Sequence, residues 1–192
     1  MLRKMIDTNI LVYALVENHP ATATCDDFIR RVSEKKLLMT TPLTPFEIYY
    51  VLWRIYGLNR DKAFEQAVSL FDSPIEFTHI TEEDAHMALR KVVEHSIEAN
   101  DALLLISCLK QGASSLATDD KRLLKACQQE GVHTEEPIDT KVSQNMETWE
   151  KEKLPEKGVQ RMLLRIYNWL LDTNPKIAQE FKQATQGMKR IP

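Results

Sequence analysis

Met5-Ile6-Asp7-Thr8-Asn9, near the start of the chain, places an acid directly after two apolar residues and before two small polar ones. That order reads as a buried strand ending where a helix begins. Three further acids sit where a strand gives way to a helix or a capped helix begins: Glu47 in Thr44-Pro45-Phe46-Glu47, Asp101 in Asn100-Asp101-Ala102, and Asp120 in Ala117-Thr118-Asp119-Asp120. In a parallel sheet the strand C-termini and helix N-termini share one edge, so side chains distant in sequence converge there on one ligand. Carboxylates packed together repel and partly protonate unless a divalent cation supplies positive charge.

Working outward from Asp7, short apolar strands alternate with longer helical patterns, the signature of a parallel sheet covered by helices. Helices are expected from about Asn9 to Val16 and from about Pro20 to Glu34, followed by the strand Leu37-Leu38-Met39-Thr40. Thr44 suits an N-cap, Pro45 the first helical position and Glu47 the reciprocal place in a capping box, so a helix should run from Pro45 to about Tyr56 and stop at Gly57. Its apolar face is read as Phe46, Tyr50, Trp53 and Ile55. A helix over Asn59 to Leu70, a strand over Ile75 to Thr78 and a helix over Thr81 to Val93, capped by Thr81 and Asp84, come next. Asn100 is expected to cap Asp101 to Lys110, with Gly112 as the stop. A strand over Ser115 to Thr118 and a helix over Asp120 to Gln129, closed by Gly131, complete the unit. Pro137 and Ile138 mark its boundary, which divides the chain into residues 1–138 and a helical extension, 139–192. In that extension a polar stretch leads to Trp149, and Leu154-Pro155-Glu156-Lys157-Gly158 reads as a turn. Val159, Met162, Leu163, Ile166 and Leu170 form a helical stripe ending near Asp172, and Pro175 starts a last short helix.

The 192 residues suffice for one well-buried domain plus an appendage. At 43% hydrophobic and 28% charged residues, a packed core is expected and wholesale disorder is not. No apolar run approaches membrane-spanning length, and the basic start leads straight into the first strand, so the expectation is a cytoplasmic protein without a membrane segment. Cys25, Cys108 and Cys127 form no C-x-x-C pair and read as buried small hydrophobes. His19, His79, His86, His95 and His133 share no metal-ligand spacing and read as surface or ordinary core residues. The net charge of -3 conceals an asymmetry: residues 151–192 hold nine Lys or Arg against four Asp or Glu. An acidic body fits a metal site, and a basic tail fits either contact with a polyanion or a merely solvated helix.

Each acid also has a structural explanation. Glu47 fits a capping box with Thr44, Asp101 an ordinary first-turn acid after Asn100, Asp7 a helix cap, and Asp119-Asp120 a solvated pair at a helix start. Four unrelated caps have no reason to arrive in one order with these neighbours. The order, with steps of 40, 54 and 19 residues between Asp7, Glu47, Asp101 and Asp120, resembles the PIN domain, the fold of VapC-type ribonuclease toxins and their relatives. The likeness runs from about Met1 to about Ile138 and extends to Thr8, Asn9, Asn100, Ala102 and Thr118. It implies a three-layer α/β/α fold with a central parallel sheet.

The resemblance further implies hydrolysis of an RNA phosphodiester to a 5′-phosphate and a 3′-hydroxyl, supported by Mg²⁺ or Mn²⁺. Both are hard ions that bind carboxylates and water and leave positions open for phosphate. Asp7 and Asp101 are the first candidates for metal ligands. Asp120 completes the site, and Glu47 binds metal or positions water. Thr8, Asn9, Thr118 and Asp119 are candidates to orient these carboxylates from behind. Relatives also suggest a homodimer, here through the aromatic helix carrying Tyr49, Tyr50, Leu52, Trp53 and Tyr56, and an antitoxin protein; the tail beyond Pro137 departs from the compact toxin pattern. Two other classes stay open. One is a PIN-like RNA- or protein-binding module with little catalysis. The other is an Asp-nucleophile phosphatase, disfavoured because Asp7-Thr8-Asn9 lacks a second Asp two residues on.

Overall fold

Residues 3–33, 37–154 and 159–185 are described by a computed structural model. Strands β1 (Arg3–Ile6), β2 (Leu37–Thr40), β3 (Glu76–Phe77), β4 (Ser115–Ala117) and β5 (Thr134–Glu135) pair in the order β3-β2-β1-β4-β5, all parallel. The register sets Met5 beside Met39 and Leu116, and Ile6 beside Ala117. Because successive strand residues face opposite sides, Met5, Met39 and Leu116 enter one core while Ile6, Leu38 and Ala117 enter the other.

The first core is covered by α1 (Thr8–Leu15), α2 (Thr22–Ser33), α3 (Thr44–Arg54) and α4 (Arg60–Val68), and the second by α5 (Glu82–His95), α6 (Ala99–Gln111) and α7 (Lys121–Gln129). The result is three layers, as the alternation of strand and helix patterns predicts. Thr81 caps α5 in a full capping box with Asp84, whose carboxylate also takes an ion pair from Lys110 on α6 at 2.6 Å. Thr81→Ala is expected to lower stability by about 1 kcal/mol, read as a shift of the urea midpoint at unchanged slope. Gly112 closes α6 in the left-handed conformation at φ 57°, its N–H returning to the carbonyls of Cys108 and Leu109, a geometry glycine adopts without steric cost.

Several local expectations are corrected. Helix α3 starts at Thr44 itself, with Leu43 at the cap position and no side-chain cap bond. The Thr44 hydroxyl is engaged with that of Thr40 at 2.7 Å instead, so no capping box forms and Glu47 is released from it. The buried face of α3 is Pro45, Ile48, Leu52 and Trp53, whereas Phe46 and Tyr50 are 62% and 49% exposed. Of the five residues named for a dimer contact, Leu52 and Trp53 therefore serve this chain's own core. Asn100 does not cap α6; Glu98 holds that position. The helix over Asn59 to Leu70 divides into α4 and a 3-10 turn, Ser69–Asp72.

Two elements lie beyond the sequence expectations: strand β5 and α8 (Thr140–Lys153), the latter capped by Asp139, which accepts from the N–H of Val142 at 2.8 Å. Met146 on α8 is buried in the first core, with Val142 and Trp149 packed against it. Helices α9 (Val159–Thr173) and α10 (Pro175–Thr185) follow. Arg60 on α4 pairs with Asp172 on α9 at 3.0 Å, which ties the extension to the α3–α4 side. Pro155 to Gly158 of the expected turn, and the side chains of Val159 and Met162 from the expected stripe, lie outside the described residues. Among the described residues no helix is long and apolar enough to cross a membrane. The three cysteines are free and buried, and burial pushes the Cys25 and Cys127 thiols up to about 12 and that of Cys108 to about 11.

Candidate metal centre

Asp7 ends β1, with its backbone N–H bonded to the Ala117 carbonyl at 2.9 Å. The central pair of strands thus delivers it to the carboxyl edge of the sheet. It occupies the cap position of α1 but makes no side-chain cap bond. Asp7 is 6% exposed, and its carboxylate accepts a hydrogen bond from the Thr118 hydroxyl at 2.6 Å. Burial first, then the nearby charge of Asp101, pushes its pKa well above the usual carboxylate range; Thr118 opposes this, and Glu47 and Asp119 add to it.

The other three acids meet Asp7 at a cleft of about 310 Å³, which all four line. Glu47, freed from the cap, accepts from the Thr8 hydroxyl at 2.5 Å and from the Asn100 amide. Asp101 lies in the first turn of α6, where the backbone of Glu98 bonds it as an N3 acid would be bonded. Burial and then the charges of Asp120, Glu98 and Glu47 push its pKa up to about 7. Asp120 caps α7, one carboxylate oxygen taking the N–H groups of Arg122 at 2.7 Å and Leu123 at 3.0 Å. Capping therefore accounts for part of what Asp101 and Asp120 do and for nothing that Asp7 or Glu47 does.

Asp119 is not among the residues that line the cleft, although its partners Asn9 and Tyr13 are. The Asn9 amide and the Tyr13 hydroxyl hydrogen-bond its carboxylate, and burial raises its pKa. Asn9 also reaches the Thr118 hydroxyl at 3.4 Å, so Asn9, Thr118 and Asp119 form a layer behind Asp7. Three contributors escape a sequence reading. Tyr13 stands one helical turn after Asn9 on α1, a spacing that shares a face. Glu98 lies just ahead of the Asn100-Asp101 motif and also lines the cleft. Glu150, on α8, lines it too, and nothing in its polar surroundings in the sequence marks it.

The donor set fits a hard divalent cation: oxygen ligands throughout, like charges crowded in partial burial, and no imidazole or thiol among the lining residues. Among the described residues no three of these carboxylates bring oxygens within 4.8 Å of one another; Glu94, His95 and Glu130 do. That second group holds its own cation, since Lys91 bonds Glu94 at 2.9 Å and Glu130 at 2.7 Å. The wider spacing at the sheet edge leaves room for the waters that Mg²⁺ keeps in its shell, through which acids beyond direct reach can act on the ion.

A sequence model of the PIN domain matches residues 4–128. No curated protein sequence matches the chain. Among solved structures, a chain in the crystal structure of VapBC2 from Rickettsia felis bound to a DNA fragment from their promoter superposes with a TM-score of 0.53 at 17% identity, over 70% of this chain and 98% of that one. VapC20 of Mycobacterium tuberculosis, described as a Sarcin-Ricin loop cleaving toxin, gives 0.54 at 19% identity, over 64% and 94%. At these identities the likeness is one of fold, and it joins the sequence match and the parallel sheet with acids at its carboxyl edge: the chain belongs to the PIN domain family.

Proposed function

We propose that this protein is a metal-dependent endoribonuclease that hydrolyses RNA phosphodiester bonds in the cytoplasm, with Asp7, Asp101 and Asp120 as Mg²⁺ or Mn²⁺ ligands and Glu47 as a further ligand or the group that positions the attacking water. The observation that carries it is Asp7: a buried strand-end carboxylate, without a capping role, crowded by other acids. When bound, the cation supplies Lewis-acid stabilisation of charge on the phosphoryl oxygens. Thr118 fixes the direction of Asp7, and Thr8 and Asn100 together fix Glu47, so the acids are held before substrate arrives. Water oxygen bonds to phosphorus as the bond to the 3′-oxygen breaks, leaving a 5′-phosphate and a 3′-hydroxyl.

The unit responsible is residues 1–138, with 139–192 as a helical extension whose first helix packs onto it. The toxin named in one structural neighbour supports a role as the toxin of a toxin–antitoxin pair, with an antitoxin partner and a homodimer through the exposed side of α3, or as a stand-alone RNA-processing enzyme. The basic balance of residues 151–192, nine Lys or Arg against four Asp or Glu, favours a second reading, an RNA- or protein-binding module with little catalysis. Purified protein incubated with a mixed RNA pool in Mg²⁺, Mn²⁺ or EDTA separates the two. Cutting that needs metal and leaves 5′-phosphates is expected; RNA retained uncut in every condition would favour the binding module.

A further inference from the structure

Beside the acidic cleft lies a second one of about 400 Å³, and the two share Tyr56 and Leu154 in their walls. Resting on the nuclease reading for the identity of the substrate, we propose that this second cleft is a subsite for one unpaired nucleobase of the RNA, next to the phosphate held by the acids.

The walls match a base better than a phosphate. Trp149 and Tyr56 face it with ring centroids 6.1 Å apart, inclined by 35°. Gln66 offers an amide, able both to donate to and accept from a base edge. Lys62 and Lys153 are exposed at the rim, but Glu17 and Glu65 share the lining and balance them, so the cleft has no net positive charge to concentrate phosphate. Aromatic faces bind unpaired bases whatever their sequence, while edge contacts add preference.

The aromatic walls are mechanically joined to the acids. Trp149 and Tyr56 both pack edgewise on His19, at 5.0 and 6.0 Å. His19 stacks on Tyr13 at 4.7 Å and 4°, and Tyr13 lines the acidic cleft and bonds Asp119. A base seated against Trp149 would thus be registered to the scissile phosphate through fixed side chains. Trp149 and Lys153 belong to α8, outside the residues that match the family. The extension therefore supplies one wall of the subsite, and Tyr56 and Gln66 from the family-matched residues supply the other.

The test uses full-length protein and an RNA whose cut has been mapped, resynthesised with each flanking nucleotide in turn made abasic. In the wild type, one abasic position should lower kcat/KM about tenfold or more. Gln66→Ala and Trp149→Ala should cut the intact RNA correspondingly more slowly and lose that discrimination; Trp149→Phe, which keeps a stacking face, should retain it. Because Trp149 also packs on the core, Gln66→Ala and Trp149→Phe decide the matter if Trp149→Ala melts early. An abasic penalty found at no position, or unchanged in Gln66→Ala and Trp149→Ala, overturns the subsite, as it would if the cleft received a protein partner instead. Should the wild type cut no RNA at all, the nuclease reading falls and the subsite is judged separately, by binding of fluorescent intact and abasic single strands in EDTA. Tighter binding of the intact strand that Gln66→Ala removes supports it. Equal binding overturns it.

Discussion

Asp101→Asn is expected to lower metal-dependent RNA cleavage roughly a thousandfold, the consequence of losing several kcal/mol of charge stabilisation at the phosphoryl group. The substitution keeps the side-chain shape and an oxygen able to accept the backbone bond from Glu98. It also removes a charge that crowds Asp7, Glu47 and Asp120. The variant should therefore melt higher than the wild type in EDTA while being nearly inactive in Mg²⁺. A structural cap would give the reverse, lower stability with intact chemistry. Cleavage within about tenfold of wild type would remove Asp101 from the ligand set.

The metal-free protein should lose stability as pH rises from about 4 to about 7, against the usual trend for acidic groups. Asp7, Asp101 and Asp119 have folded pKa values raised above the unfolded ones. Over that window the native state holds protons on these three groups that the unfolded chain has already released, so they favour unfolding as pH rises. His19, whose pKa burial lowers, acts in the opposite sense and must be subtracted, for example by His19→Gln. For Asp101 the change from 3.8 to about 7 corresponds to about 4 kcal/mol as a ceiling. A divalent cation competes with those protons, and its stabilisation should be larger near pH 8 than near pH 5. Melting curves in EDTA and in Mg²⁺ across this range check both statements. A flat or rising EDTA profile would mean that the carboxylates do not share a desolvated site.

The sheet-edge acids were legible because each announces itself twice, by residue type and by its place after an apolar strand or at a helix start. What the sequence could not convey was competition among partners. Thr44, Pro45 and Glu47 have the right spacing for a capping box, yet the hydroxyl of Thr40, four residues earlier and itself bonded to the Ile6 carbonyl across the sheet, engages Thr44 instead. The faces of α3 were misassigned for a related reason: Phe46 and Tyr50 are as apolar in type as Ile48 and Leu52, and only the position of the sheet decides which pair is covered. Helix α8 hides its signal, since Val142, Met146 and Trp149 recur at helical spacing but stand among charged and amide residues. Glu150 was out of reach altogether, because its place at the cleft follows from the docking of that helix.

The position of β1 at the middle of the sheet has a consequence for biosynthesis. Its first neighbour, β2, is made soon after it, but its other neighbour, β4, comes from residues 115–117. A nascent chain therefore carries one open edge of its central strand for most of its translation, and long-range parallel pairing of this kind is slow to form. Asp7 is made almost first and Asp120 among the last of the residues that match the PIN domain. Until β4 closes against β1, Asp7 lacks both its anchoring bond to Ala117 and the hydroxyl of Thr118. On the ribosome the growing chain therefore lacks the assembled acidic edge, which is completed only after the fourth strand has left the exit tunnel.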